Sequence, residues 1–211
     1  IEATRIEAID GYNEPYLKLY NELFKNTPSY FGKITSPGAI GLIETWKKLL
    51  LSLYNNDSIN QIVILEDDIY FHKNYNNLLN NIELNHDIIY LGAHQHNPNT
   101  IQNINGYYEY NNDYIYGTYG MILNKKAIRL IYDSLPKKIH NKQMNIDCHI
   151  NQLYKSKKLT CSVLLPNLLI PNLRDSDNMD SRDLSEFSKI KKWDLSLYDY
   201  SYFSKFVFII P

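Results

Sequence analysis

Three consecutive acids, Glu66, Asp67 and Asp68, stand at the end of the apolar run Gln61-Ile62-Val63-Ile64-Leu65 and are followed by Ile69-Tyr70-Phe71. Adjacent carboxylates repel one another. A folded chain keeps them together where solvent, a helix N-terminus, basic neighbours or a divalent cation offsets the charge. Hard oxygen donors at the tip of a strand suit Mg²⁺ or Mn²⁺, which keep several waters and bridge to substrate phosphates. The plainer account is a solvated loop after a strand. The two cysteines, Cys148 and Cys161, have neither metal-type spacing nor a disulfide framework.

The elements that must position these acids can be read in chain order. The run before the acids is short and β-branched, which predicts a buried strand in a parallel sheet, with the acids at its carboxyl end where such sheets hold ligands. Thr4–Gly11 alternates and stops at Asp10-Gly11, predicting a strand entering a turn. One or two helical turns follow around Glu14 to Phe24. Ser36 as N-cap with Pro37 at the first helical position starts a helix whose Ile40, Ile43, Trp46, Leu50 and Tyr54 face a sheet. Gly38 and Gly41 near its start allow close approach to a backbone or a ligand. Helices are predicted over His72–Asn85, Lys125–Leu135 (capped by Asn124, closed by Pro136) and Asn145–Tyr154. Strands are predicted over Asp87–Gly92, Tyr114–Leu123 and Leu159–Leu165. Ala93–Asn112 reads as a long loop with a hairpin near Asn105-Gly106, and Pro166–Asp177 as another loop. The expected fold is an α/β sandwich with a mixed, mostly parallel central sheet. Residues 1–180 form its domain, and 181–211 an aromatic, amphipathic tail that packs on the domain or leads onward.

With 211 residues, 44% of them apolar, the chain can bury a substantial core. A net charge of −1 argues against a nucleic-acid binder that works by neutralising phosphates. Lysine pairs such as Lys47-Lys48 and Lys125-Lys126 read as solvated helix faces. The sequence shows no signal peptide and no membrane span, and a cytoplasmic location is the expectation. Heavy use of Asn, Ile, Lys and Tyr (19 of the last) reads as nucleotide bias.

In order, Arg5–Gly11, Pro37-Gly38-Ala39-Ile40-Gly41, Ile62–Asp68, Ile88–Gly92, Gly117–Leu123 with Ala127, Asp147, Pro166 and Ser176-Asp177 resemble the motif series of glycosyltransferase family 25. That group contains lipopolysaccharide glycosyltransferases and collagen hydroxylysine galactosyltransferases. The resemblance spans roughly residues 4 to 177. It implies a GT-A-like (Rossmann-like) fold, a nucleotide-sugar donor, UDP-linked, with Mn²⁺ or Mg²⁺, and a glycan or protein (collagen-like hydroxylysine) acceptor. Asp68 is then the metal ligand, with Glu66 and Asp67 on the ribose or base or reaching the metal through water. Gly117, Thr118 and Gly120 lie against the donor sugar, though a β-bulge accounts for the same glycines. The second metal ligand is left among His149, His94 and Asp177, and His149 reads first as a half-buried helix residue. If the transfer inverts, Asp147 is the candidate general base and Asp177 the second choice; Asp147 as a helix N-cap is the structural alternative. Two departures stand out. Leu42 and Thr45-Trp46 occupy places where the family typically has a Cys and a Ser-His pair, and the usual first strand is absent, as in a truncated, processed or shortened chain. One rival reading is a catalytically degenerate module acting as a binding or structural domain. Another is a metal-dependent phosphotransferase or nuclease, which generally needs more carboxylates around two metals than the later chain offers.

Overall fold

The computed structural model describes residues 4–80, 82–95, 107–109, 114–173, 183–191, 193–200 and 209–210. Helix α1 (Tyr16–Leu23) precedes the long α2 (Pro37–Tyr54), whose first turn is closed by the Ser36 hydroxyl accepting from Ala39 N–H at 3.2 Å. Then come β1 (Gln61–Leu65), β2 (Ile69–His72), α3 (Tyr75–Asn80), β3 (Ile88–Tyr90), β4 (His94–Gln95), β5 (Tyr107–Glu109), β6 (Ile115–Tyr116) and β7 (Gly120–Asn124). The second half holds α4 (Lys125–Ser134), α5 (Ile146–Lys155), β8 (Cys161–Leu164), β9 (Leu169–Pro171), α6 (Leu184–Lys191), β10 (Tyr198–Asp199) and β11 (Ile209–Ile210).

The main sheet has the order β11-β1-β7-β3-β8-β5. It is mixed, but the expectation of a mostly parallel sheet is overturned: β3–β8 is its one parallel pair among the described residues, and the other neighbours run antiparallel. The apolar run of β1 reflects burial on both faces, and burial carries no information about strand direction. Ile62 and Ile64 enter the core beneath α2 and α4, while Val63 and Leu65 face a second core with Ile89, Ile122 and Leu169. That second core is covered by a small sheet, β10-β2-β9, and by Leu78, Leu79 and Ile82.

Three carboxyl ends are nevertheless gathered on one side. β1 and β3 both oppose β7, and β8 runs with β3, so the three carboxyl ends emerge at one edge of the sheet, beside the amino end of β7. Other expectations change. Residues 4–10 are not in a strand; Ile9 N–H instead donates to the Thr45 hydroxyl at 2.8 Å, so a side chain on α2 replaces sheet pairing. The helix foreseen from His72 shrinks to α3 because β2 takes the residues up to His72. The loop after Pro166 contains β9, which pairs with β2. The Asn105-Gly106 turn lies outside the described residues. From the C-terminal region, β10 adds to the small sheet and β11 to the main one. Among the described residues no helix is long and apolar enough to cross a membrane.

Candidate functional site

The acidic triplet is the hinge between the two sheets. Glu66 N–H still donates to Tyr119 C=O at 2.9 Å, extending the β1–β7 ladder by one bond, whereas Asp68 C=O already accepts from Asn172 N–H beside the β2–β9 pair. The chain therefore leaves one sheet and enters the other within these three residues. Asp67 is exposed, and Glu66 and Asp68 are half-buried.

Two adjoining cavities flank this hinge. The first, about 350 Å³, is walled by Ile6–Tyr12, by Gly38, Leu42, Thr45, Trp46 and Leu49 of α2, and by Ile64 to Asp68. The second, about 510 Å³, lies between the turn at Ser29–Lys33, the Tyr116–Tyr119 segment, the start of α5 and Pro171–Leu173. Glu66, Asp68 and Leu42 line both.

Glycines let α2 stand where it does. A Cβ on Gly11 would collide with the Pro37 carbonyl, and one on Gly41 with the Ile9 carbonyl. Thr45 adds a tether, since its hydroxyl donates to Gly41 C=O at 2.8 Å while accepting from Ile9. Close packing thus explains Gly41, while Gly38 faces the first cavity. Leu42, Thr45 and Trp46, which depart from the motif series the sequence resembles, build the wall of that cavity.

Glu66 Oε1 accepts from the buried Thr118 hydroxyl at 2.7 Å. Burial pushes the Glu66 carboxyl up to about 7; the Thr118 bond pulls it back, and the charges of Asp147 and Asp67 push it further up. Asp147 occupies the second cavity as the second residue of α5, with Asn145 at the N-cap, so the N-cap alternative does not hold for it. Its carboxylate accepts from Cys148 N–H at 2.7 Å and from Gly117 N–H. Burial nevertheless holds its carboxyl above the ordinary value. Gly117 turns at φ 95°, a conformation that favours glycine, and a Cβ there would meet the Tyr119 ring.

Of the residues foreseen for chemistry, Glu66, Asp68, Gly117, Thr118 and Asp147 are thus brought to the second cavity, and Asp67 faces the first alone. Gly120 lines neither; it pairs with Leu65 and leaves room for the Leu169 side chain. His149 points elsewhere, its Nε2 2.9 Å from the Ser134 hydroxyl in a separate depression, so it does not join Asp68. Asp177 lies outside the described residues, as does the side chain of His94.

Sequence reasoning missed Asn151. Almost fully buried, it accepts from Ile115 N–H at 2.9 Å and donates to Ile115 C=O at 2.6 Å and to Asp147 C=O at 2.8 Å. It thereby ties α5, and so Asp147, to the strand leading into Gly117. Nothing in its spacing distinguishes it in so Asn-rich a chain.

The charge balance of the cleft is one-sided. Among its described lining residues are Asp10, Glu66, Asp67, Asp68 and Asp147 against Lys33, whose ammonium donates to Thr27 C=O at 2.6 Å. Among the described residues no three His, Cys, Asp or Glu side chains converge to hold a metal by themselves. Searches with protein-family models and among curated proteins find no match to this chain.

Proposed function

We propose that this chain is a GT-A-like glycosyltransferase, similar to family 25, that moves a sugar from a UDP-sugar to a hydroxyl of a glycan or protein acceptor with Mn²⁺ or Mg²⁺. The observation that carries this reading is the shared position of Glu66 and Asp68 on the wall between two cavities, with Asp147 lining the second. The first cavity, with its apolar wall of Ile6, Ala8 and Trp46, takes the nucleoside. The second takes the transferred sugar and the acceptor.

A diphosphate entering this acidic cleft meets no free side-chain cation among the described lining residues, so a divalent ion has to come with it. One carboxylate, phosphate oxygens and waters make an ordinary ligand set for Mg²⁺ or Mn²⁺, which fits a site where no three protein ligands converge among the described residues. Asp68 would hold the ion, and bound there it would neutralise the departing diphosphate. Glu66 and Asp67 face the ribose. In a direct displacement Asp147 accepts the proton of the acceptor hydroxyl. That oxygen forms its bond to the anomeric carbon while the bond from carbon to diphosphate breaks. A carboxyl held above its ordinary value is a stronger base for this task.

The test is a thermal-shift titration of the native chain and of Asp68→Ala with UDP and MnCl₂, separately and together. Binding to the folded state stabilises by mass action, about 2.7 kcal/mol at about a hundred times Kd. The expected result is a rise in Tm that needs both ligands and vanishes in Asp68→Ala. No rise at millimolar UDP with Mn²⁺ overturns the donor site. A rise without turnover of any UDP-sugar assigns the chain to the degenerate, donor-binding alternative.

A further inference from the structure

The second cavity has an aromatic wall that the proposed donor chemistry does not use. Phe31 is 47% exposed, and its ring is part of the cavity lining. It is also held still. Its ring lies 4.4 Å from that of Tyr114, which lies 6.2 Å from Tyr116 and carries the Lys155 ammonium 3.3 Å from its centroid. The turn that displays it is anchored to the start of α5. Gly32, at φ 72°, packs its backbone against Cys148, its carbonyl accepts from Asn145 N–H at 2.9 Å, and the Tyr30 hydroxyl donates to Gln143 C=O at 2.8 Å. Phe31 and Asp147 are therefore fixed to the same helix terminus, on one cavity.

The cavity lining pairs an apolar ring with carboxylates, Glu66 and Asp147, that accept hydrogen bonds. An aliphatic or lipid group would leave those carboxylates desolvated and unpaired. An anion would be repelled. A neutral pyranose answers both features, because it has an apolar C–H face and a rim of hydroxyl donors. We propose that Phe31, backed by Tyr114, is the stacking platform for the acceptor, and that the acceptor enters as a neutral sugar ring rather than as a polypeptide side chain. The acceptor role rests on the glycosyltransferase reading; the sugar subsite is testable without it.

The experiment is saturation-transfer NMR with methyl β-galactoside and with lactose, in the absence of UDP and metal, on the native chain, Phe31→Ala and Phe31→Trp. A short hydroxylysine peptide serves as competitor. The native chain should transfer saturation to the C–H protons of one sugar face. Phe31→Ala should weaken binding about three- to tenfold, the worth of one aromatic stack, and Phe31→Trp should restore it. Phe31→Ala should stay folded, with a melting temperature lowered only by the lost contact with Tyr114, and should keep the native response to UDP with Mn²⁺. Sugars that fail to bind, that bind Phe31→Ala as well as the native chain, or that are displaced by the peptide from a Phe31-dependent site overturn the proposal. A Phe31-dependent sugar signal without any UDP response removes the transferase reading and leaves the sugar subsite standing.

Discussion

The Thr118–Glu66 bond is a donor held against a carboxyl that resists ionisation, and its strength therefore depends on pH. A carboxyl whose folded-state value is raised, here from 4.5 to about 7, costs stability progressively as pH rises through that window. The Thr118 hydroxyl offsets part of this cost because it favours the ionised form. Thr118→Val keeps the shape and removes the donor. We expect it to lower unfolding stability by about 1–3 kcal/mol near pH 8 and by much less near pH 5, where Glu66 holds its proton in the folded state. Urea titrations of both proteins at the two pH values check this. An equal loss at both would show that the hydroxyl does not serve the charged carboxylate. The sequence singled out Thr118 as a hydroxyl for the donor sugar and did not show its bond to Glu66, since that pairing depends on Glu66 staying in register with β7 by one bond beyond the strand.

At the scale of elements, local signals told true where a cap or a spacing acts alone. Ser36 with Pro37 starts α2, and Asn124 starts α4 by accepting from Ala127 N–H at 2.9 Å. They failed where the partner is distant. β2 and β9 are short, one follows the acids directly and the other lies among prolines, and each is fixed by pairing with a strand far away in the chain, β9 with β2 and β2 also with β10. Lys125, read as a solvated charge, turns inward to donate to the last carbonyls of α2, those of Leu53 at 2.9 Å and Tyr54 at 3.2 Å, and also to that of Asn56 at 2.7 Å. Asn151 is the most consequential of these hidden ties, because it sets where α5 presents Asp147 to the cleft. Asn151→Leu strands the Ile115 donor and acceptor on that side, and we expect a loss of about 2–4 kcal/mol. The same variant should shift the hydrogen-exchange protection of residues 115–118. A variant as stable and as protected as the native chain would refute the tie.

Over the whole molecule, the two edges of the main sheet do different work. The carboxyl end of β1 and the segment entering β7 carry the cleft, while the opposite edge is fastened by one buried acid. Asp87 accepts from Lys126 Nζ at 2.7 Å, Asn124 Nδ2 at 3.0 Å, Thr160 N–H at 2.9 Å and the Thr160 hydroxyl at 3.1 Å. It so joins the entries to β3 and β8 with the turn from β7 into α4. Burial alone would raise its carboxyl, but these four donors outweigh that and bring it down to about 2. A depressed carboxyl stabilises the fold at pH above its unfolded value of 3.8 and loses that contribution as pH falls towards 2. The difference corresponds to about 2 kcal/mol at neutral pH. Asp87→Asn should therefore unfold more readily at pH 7 by at least about that amount, since the amide also turns a donor toward Thr160 or Lys126. Its acid denaturation curve between about pH 4 and about pH 2 should be flatter than that of the native chain. Because Asp87 stands at the far edge from Glu66, Asp68 and Asp147, the folded variant should still respond to UDP with Mn²⁺ as the native chain does. A variant that melts normally yet loses that response would mean that the two edges are coupled, and that the acidic cleft is not positioned by the hinge at residues 66–68 alone.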